Sequence, residues 1–202
     1  MEFLVALLFA AHRRARTGLT PWLGGLLLAL ALAGPAAAEA PAPAPSPEYQ
    51  VKAVFLFNFA QFVDWPAKAF PDAAAPLVIG VLGEDPFGPY LDELVRNEKI
   101  SGRPLVVRRF RTAQEITGDC HILFVSHALA GQFDKIALAL QGRSLLTVGD
   151  AENFSRQGGM VRFVTESGKI RLRINVESAK ECGLTISSKL LRWATIVTKE
   201  KG

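Results

Sequence analysis

Apolar residues recur at helical spacing over Glu48–Trp65. Val51, Val54, Phe55, Phe59, Phe62 and Val63 share one stripe, and Leu56 and Phe57 widen it. The pattern predicts a strongly apolar helix, closed by Pro66, which cannot continue it. Such a helix is either a central core element or a surface for a partner. After Pro76 the period changes. Leu77–Leu82 reads as a buried strand, Gly83–Gly88 as a turn and Tyr90–Arg96 as a helix. Leu105–Phe110, Ile122–Val125 and Leu145–Val148 read as further strands, with an amphipathic helix over Leu129–Leu140 between the last two. Strands and helices alternating through short turns predict an α/β fold, a three-layer sandwich with a mostly parallel sheet and helices on both faces.

The last part of the chain departs from that alternation. Met160–Thr165 and Lys169–Val176 flank Glu166-Ser167-Gly168, which predicts a C-terminal antiparallel hairpin. Ile170, Leu172, Ile174 and Val176 alternate with Arg171, Arg173 and Asn175, so one hairpin face is dry and the other wet. Ser188–Val197 is expected to close the chain as a helix, with Leu190, Leu191, Ala194 and Val197 inward.

Upstream of the domain, the basic cluster His12-Arg13-Arg14-Ala15-Arg16 precedes an apolar run at Leu23–Ala33 and the small residues Ala36, Ala38 and Ala40. This is the pattern of a secretory signal peptide over residues 1–38, so the chain is expected in the periplasm. Its apolar run is shorter than the roughly 20 residues that span a bilayer. Alternating Ala and Pro over residues 39–47 predict an extended linker. The globular unit is then residues 48–197, followed by a short tail over residues 198–202. The leader also explains the composition. The whole chain is 50% hydrophobic with net charge +4, but residues 39–202 carry 20 Lys+Arg against 18 Asp+Glu, a net charge of about +2. A near-neutral domain, with no aromatic residues between its basic ones, argues against a nucleic-acid partner.

Catalytic signatures are lacking. There is no G-x-S-x-G, H-E-x-x-H or C-x-x-C, and Gly168-Lys169 is followed by Ile170 where a phosphate-binding loop needs Ser or Thr. His121 and His127 are too few for a metal site, and His121, opening a strand, reads as a structural residue. Glu84 and Asp85 lie where a strand hands over to a helix, the edge at which open α/β sheets bind ligands. They could hold a small ligand in the Gly83–Gly88 loop or do acid–base work; Asp85 could equally cap the following helix. Lys169, Arg171 and Arg173 form a basic hairpin face, and Arg103, Arg108, Arg109 and Arg111 cluster near the second strand. Both groups suit either a solvated surface or an acidic partner. For Cys120 and Cys182, an internal disulfide, two separate thiols and an intermolecular bond all stay open.

Several stretches together resemble one family. Residues 51–66 (Val51 to Pro66), the run Val81-Leu82-Gly83-Glu84-Asp85-Pro86-Phe87-Gly88, Gly158-Gly159-Met160-Val161, Arg173-Ile174-Asn175 and Gly183 to Leu191 are similar, in order, to the YfiR-like periplasmic proteins. Trp193 stands where a leucine is more usual, a change expected to affect packing alone. The resemblance implies a non-enzymatic periplasmic regulator that dimerises and needs no catalytic residue, cofactor or metal. It implies repression of an inner-membrane diguanylate cyclase through its periplasmic domain, lowering cyclic-di-GMP and biofilm formation, beside an outer-membrane lipoprotein partner. The best-known type carries disulfides. With only two cysteines this chain cannot form two internal ones. Phe55, Phe59, Phe62 and Trp65 on the first helix, with Arg171 and Arg173 on the hairpin, are the candidate partner-binding residues.

Overall fold

The Ala/Pro alternation stops at Ser46. Its side chain accepts a hydrogen bond from the Tyr49 amide, and Pro47 takes the first helical position, where a missing N–H costs nothing. These two residues start helix α1 (Pro47–Phe62). The computed structural model describes residues 44–116 and 118–198. The expected signal peptide, most of the linker and all but the first residue of the tail lie outside the described residues.

Helix α1 ends at Phe62, short of Trp65, because Val63–Asp64 turns into strand β1. The parallel core comprises β2 (Leu77–Leu82), β4 (Arg103–Phe110), β5 (Ile122–Val125), β6 (Leu146–Gly149) and β7 (Val161–Glu166). Strand β8 (Lys169–Ile174) pairs antiparallel with β7, as the hairpin pattern predicts, and the short β3 (Lys99–Ile100) pairs antiparallel with β4. The sheet order is β10-β8-β7-β6-β5-β2-β4-β3, with β10 being Ala194–Ile196. Strand β1 pairs separately with β9 (Thr185–Ile186).

Helix α2 (Pro89–Val95) follows β2. The expected Leu129–Leu140 helix is split: a 3-10 turn over His127–Gln132, started by Ser126 accepting the Ala128 amide, leads into α3 (Phe133–Ala139). Helices α4 (Val176–Glu181) and α5 (Ser188–Leu191) follow the hairpin. The predicted Ser188–Val197 helix is therefore corrected. Only its first turn is helical; Arg192 and Trp193 turn, and β10 runs parallel to β8, extended by the Val197 amide donating to Ile174 O at 2.9 Å. Thr195, Ile196 and Val197 are β-branched and suit a strand.

The sheet separates two cores. Leu77, Ile79 and Val81 of β2 face one way with Leu56 and Phe59 of α1 and Leu91 of α2. Val78 and Leu82 face the other way with Phe133 and Ile136 of α3. Helices thus cover both faces of the central strands. The second cover changes towards β7 and β8. Gly149 pairs with Arg162, which places Arg162 on the α3 side of the sheet, where Ser155, Arg156, Val197 and Thr198 lie beside it instead of a helix.

Candidate functional site

Helix α1 buries Ala53, Leu56, Phe59 and Ala60 against the sheet. Phe59 is fully buried and stacks on Phe163 with ring centroids 6.0 Å apart, so it is unavailable to a partner. Phe55 and Phe62 are half-buried at the edge of the same cluster. Trp65 is tied down: its indole N–H donates to the His121 carbonyl at 3.2 Å, and its ring meets the His121 ring edge-on. The open apolar positions are instead Val51, 46% exposed, and Val54, 38% exposed. They continue the stripe through Phe55, Asn58 and Phe62 at helical spacing. Periodicity marked Val51 and Val54 as part of the stripe, but not which way the stripe's edge faces.

On the hairpin, Arg171 and Arg173 do share the wet face. Arg171 is exposed, and Arg173 reaches Glu166 at 3.5 Å. Directly across the strands stands Arg162, in register with Arg173. The structure thus places the arginines on the α3 side of the sheet and the α1 stripe on the other.

In the Gly83–Gly88 loop, the two carboxylates part company. Glu84 is exposed. Asp85 has both oxygens engaged: Oδ1 accepts from the Phe87 and Gly88 amides at 2.8 and 3.2 Å, and Oδ2 meets Arg109 Nε at 2.6 Å. Arg109 also grips Asp92 of α2 at 2.5 Å, and these two carboxylates raise the affinity of its guanidinium for its proton further. Asp85 therefore braces the loop against β4 and α2. It does not cap α2, whose cap position is Gly88 with no side-chain bond. For Asp85 the bond pattern is that of a structural clasp.

Sequence reasoning overlooked a buried polar network at the end of β6. Lys52, only 3% exposed in the middle of α1, lies 2.7 Å from both Asp150 Oδ2 and Glu48 Oε1. Tyr49 Oη donates to the same Asp150 oxygen at 3.0 Å, and the Lys52 ammonium sits 4.3 Å from the Tyr49 ring centre. Burial, together with the Asp150 charge, pushes the Tyr49 phenol up to about 12. The Lys52 ammonium holds Glu48 below the usual carboxylate range. A lone lysine inside an apolar helix was the available signal, because a buried charge needs a partner. His121 is the structural residue that its strand position predicts. Its Nδ1 accepts the Val78 amide and its Nε2 faces the Ala69 carbonyl, each at 3.1 Å, while Phe70 stacks on the ring at 4.3 Å. The network therefore assigns the proton to Nε2 of a neutral ring, and burial lowers its pKa. Among the described residues no group of three or more His, Cys, Asp or Glu is placed to hold a metal, and no helix is long and apolar enough to cross a membrane.

A sequence model described as YfiR/HmsC-like matches residues 49–195, from the first turn of α1 to the middle of β10. The chain belongs to this family. No protein of curated function matches it. YfiR/HmsC-like proteins are in general periplasmic regulators of diguanylate cyclases and form a regulatory, non-catalytic family. That role calls for a binding surface and makes no demand for a reaction centre.

Of the alternatives open for the two cysteines, the structure has both as free thiols. Cys120 is packed in the α3-side core, where burial pushes its thiol up to about 12. Cys182 ends α4 half-buried against the α1-side core, and burial raises its thiol too.

Proposed function

We propose that this chain binds the periplasmic domain of an inner-membrane diguanylate cyclase directly, lowers its cyclic-di-GMP output and catalyses no reaction itself. Family membership supports the class of role. The binding mode rests on one observation: α1 buries one face completely and leaves Val51 and Val54 open beside half-buried Phe55 and Phe62. An apolar patch of this kind, edged by Asn58 and Gln61, matches the make-up of a protein interface, with an apolar centre and a polar rim. Binding one conformation of the cyclase better than another is sufficient to shift its activity.

The test is the paired variant Val51→Asp with Val54→Asp, measured for binding to the purified periplasmic domain of the cyclase. Both side chains are exposed, so the melting temperature should stay close to that of the native chain. The dissociation constant should rise at least tenfold. Native binding by a normally folded variant sinks this surface as the partner site.

A further inference from the structure

The wet face of the hairpin holds a feature that a solvated surface does not explain. Arg162 of β7 and Arg173 of β8 stand directly opposite each other, and like charges so placed repel. With Arg156 they line a concavity of about 270 Å³, closed by Ser155 and by Thr198 beyond β10, with Glu152 also on its wall. Two polar atoms there lack partners. Arg162 Nε is buried with no hydrogen bond, and so is Ser155 Oγ, on a residue only 8% exposed. Leaving buried donors unsatisfied costs free energy that an acceptor in the concavity would recover.

We propose that this concavity is a binding site for a phosphate group, carried either by a small soluble ligand or by a lipid headgroup. The charge balance favours an anion: Arg156, Arg162 and Arg173 line the site, against Glu152 on its wall and Glu166 beside Arg173. Arg173 reaches Glu166 only at 3.5 Å and Arg156 is held by Asn153, so each can turn towards an anion without leaving a buried charge behind. The planar guanidinium fork of Arg162 matches two phosphate oxygens, and the Ser155 hydroxyl can donate to a third. Burial and the adjacent Arg173 charge pull the Arg162 pKa down, the direction expected where a cation has been assembled without its counter-ion. This site lies on the sheet face away from the α1 patch and does not rest on the partner reading above.

The experiment is isothermal titration and thermal melting of the protein with inorganic phosphate at constant ionic strength, with sodium acetate as the comparison anion. Saturable binding and a rising melting temperature are expected with phosphate, and weaker binding with acetate. Arg162→Gln should weaken phosphate binding at least tenfold, yet melt at or above the native temperature without phosphate, because it removes the repulsion. If Arg162→Gln does not fold, Arg156→Gln, at an exposed position, should weaken phosphate binding by a smaller factor. Flotation with phosphatidylglycerol and phosphatidylcholine vesicles separates the sources. Arg162-dependent flotation with the anionic vesicles alone assigns a lipid headgroup, and binding of free phosphate without flotation assigns a soluble ligand. Absence of both, acetate binding as tight as phosphate, or phosphate binding indifferent to Arg162→Gln and Arg156→Gln overturns the proposal.

Discussion

His121 ties three segments together through one residue. Its ring bridges the Val78 amide and the Ala69 carbonyl, while its own carbonyl receives the Leu146 amide at 2.8 Å and the Trp65 indole. This geometry requires the neutral ring, and burial lowers the folded-state pKa. Below the unfolded value of about 6.5 the unfolded chain takes up a proton that the folded one refuses. The stabilisation from His121 is therefore complete above that pH and is lost as pH falls through the window beneath it. His121→Phe should cost about 1–3 kcal/mol at pH 8 by stranding the Val78 amide. The gap between the native and variant proteins in chemical denaturation should narrow at pH 5; a constant gap would show that the ring's protonation state is immaterial. Lys52 provides a second residue-scale outcome. Removing it by Lys52→Ala strands Asp150, whose side chain is 8% exposed, and should cost about 3–5 kcal/mol, whereas Glu48→Gln, at a partly exposed site, should cost less than about 1 kcal/mol. Equal effects in urea melts would contradict the difference in burial.

Among the elements, the hairpin was the most legible. Ser167 and Gly168 take φ values of 51° and 72°, the left-handed pair of a two-residue turn whose twist fits the strands it joins. Gly168→Val should destabilise the protein by about 1 kcal/mol or more, because a β-branched residue is strained at that φ; Gly168→Asn should cost distinctly less. The C-terminal segment was the least legible. Leu190, Leu191, Ala194 and Val197 fit a helical period, yet only Ser188–Leu191 is helical and the rest becomes β10. A short apolar run satisfies either period, and the outcome depended on the exposed edge of β8, far outside the local window. Trp193, which stands where the family more usually has leucine, is 71% exposed, and Ile196 of the edge strand is 51% exposed. Trp193→Ser with Ile196→Thr should therefore change stability by less than about 0.5 kcal/mol per site. A large loss would place those side chains in contacts that the fold lacks.

For the whole molecule, the two thiols lie in different cores, Cys120 on the α3 side of the sheet and Cys182 against the α1 side. The fold should consequently be indifferent to reductant, with the same melting temperature in its presence and absence. A thiol reagent should label Cys182 in the native protein and Cys120 only on unfolding, because burial raises Cys120 to about 12 and closes access to it. A reductant-sensitive melt would point to a bond that the native fold does not contain.

Local pattern alone determined the order and type of the main elements, because strand and helix periods and the Ser-Gly turn are written in neighbouring residues. It also marked α1 as too apolar to be an ordinary surface helix, and the ordered run of motifs pointed to the family. Tertiary structure decided which way each candidate side chain faces. Phe59 and Trp65 were drawn into the fold, Val51 and Val54 were left outside it, and Asp85 was committed to Arg109. It also set Arg162 against Arg173 and Lys52 against Asp150. The physical reason is the same throughout. A period of two or 3.6 specifies a face, but burial, ion pairing and charge repulsion depend on residues brought together from distant parts of the chain.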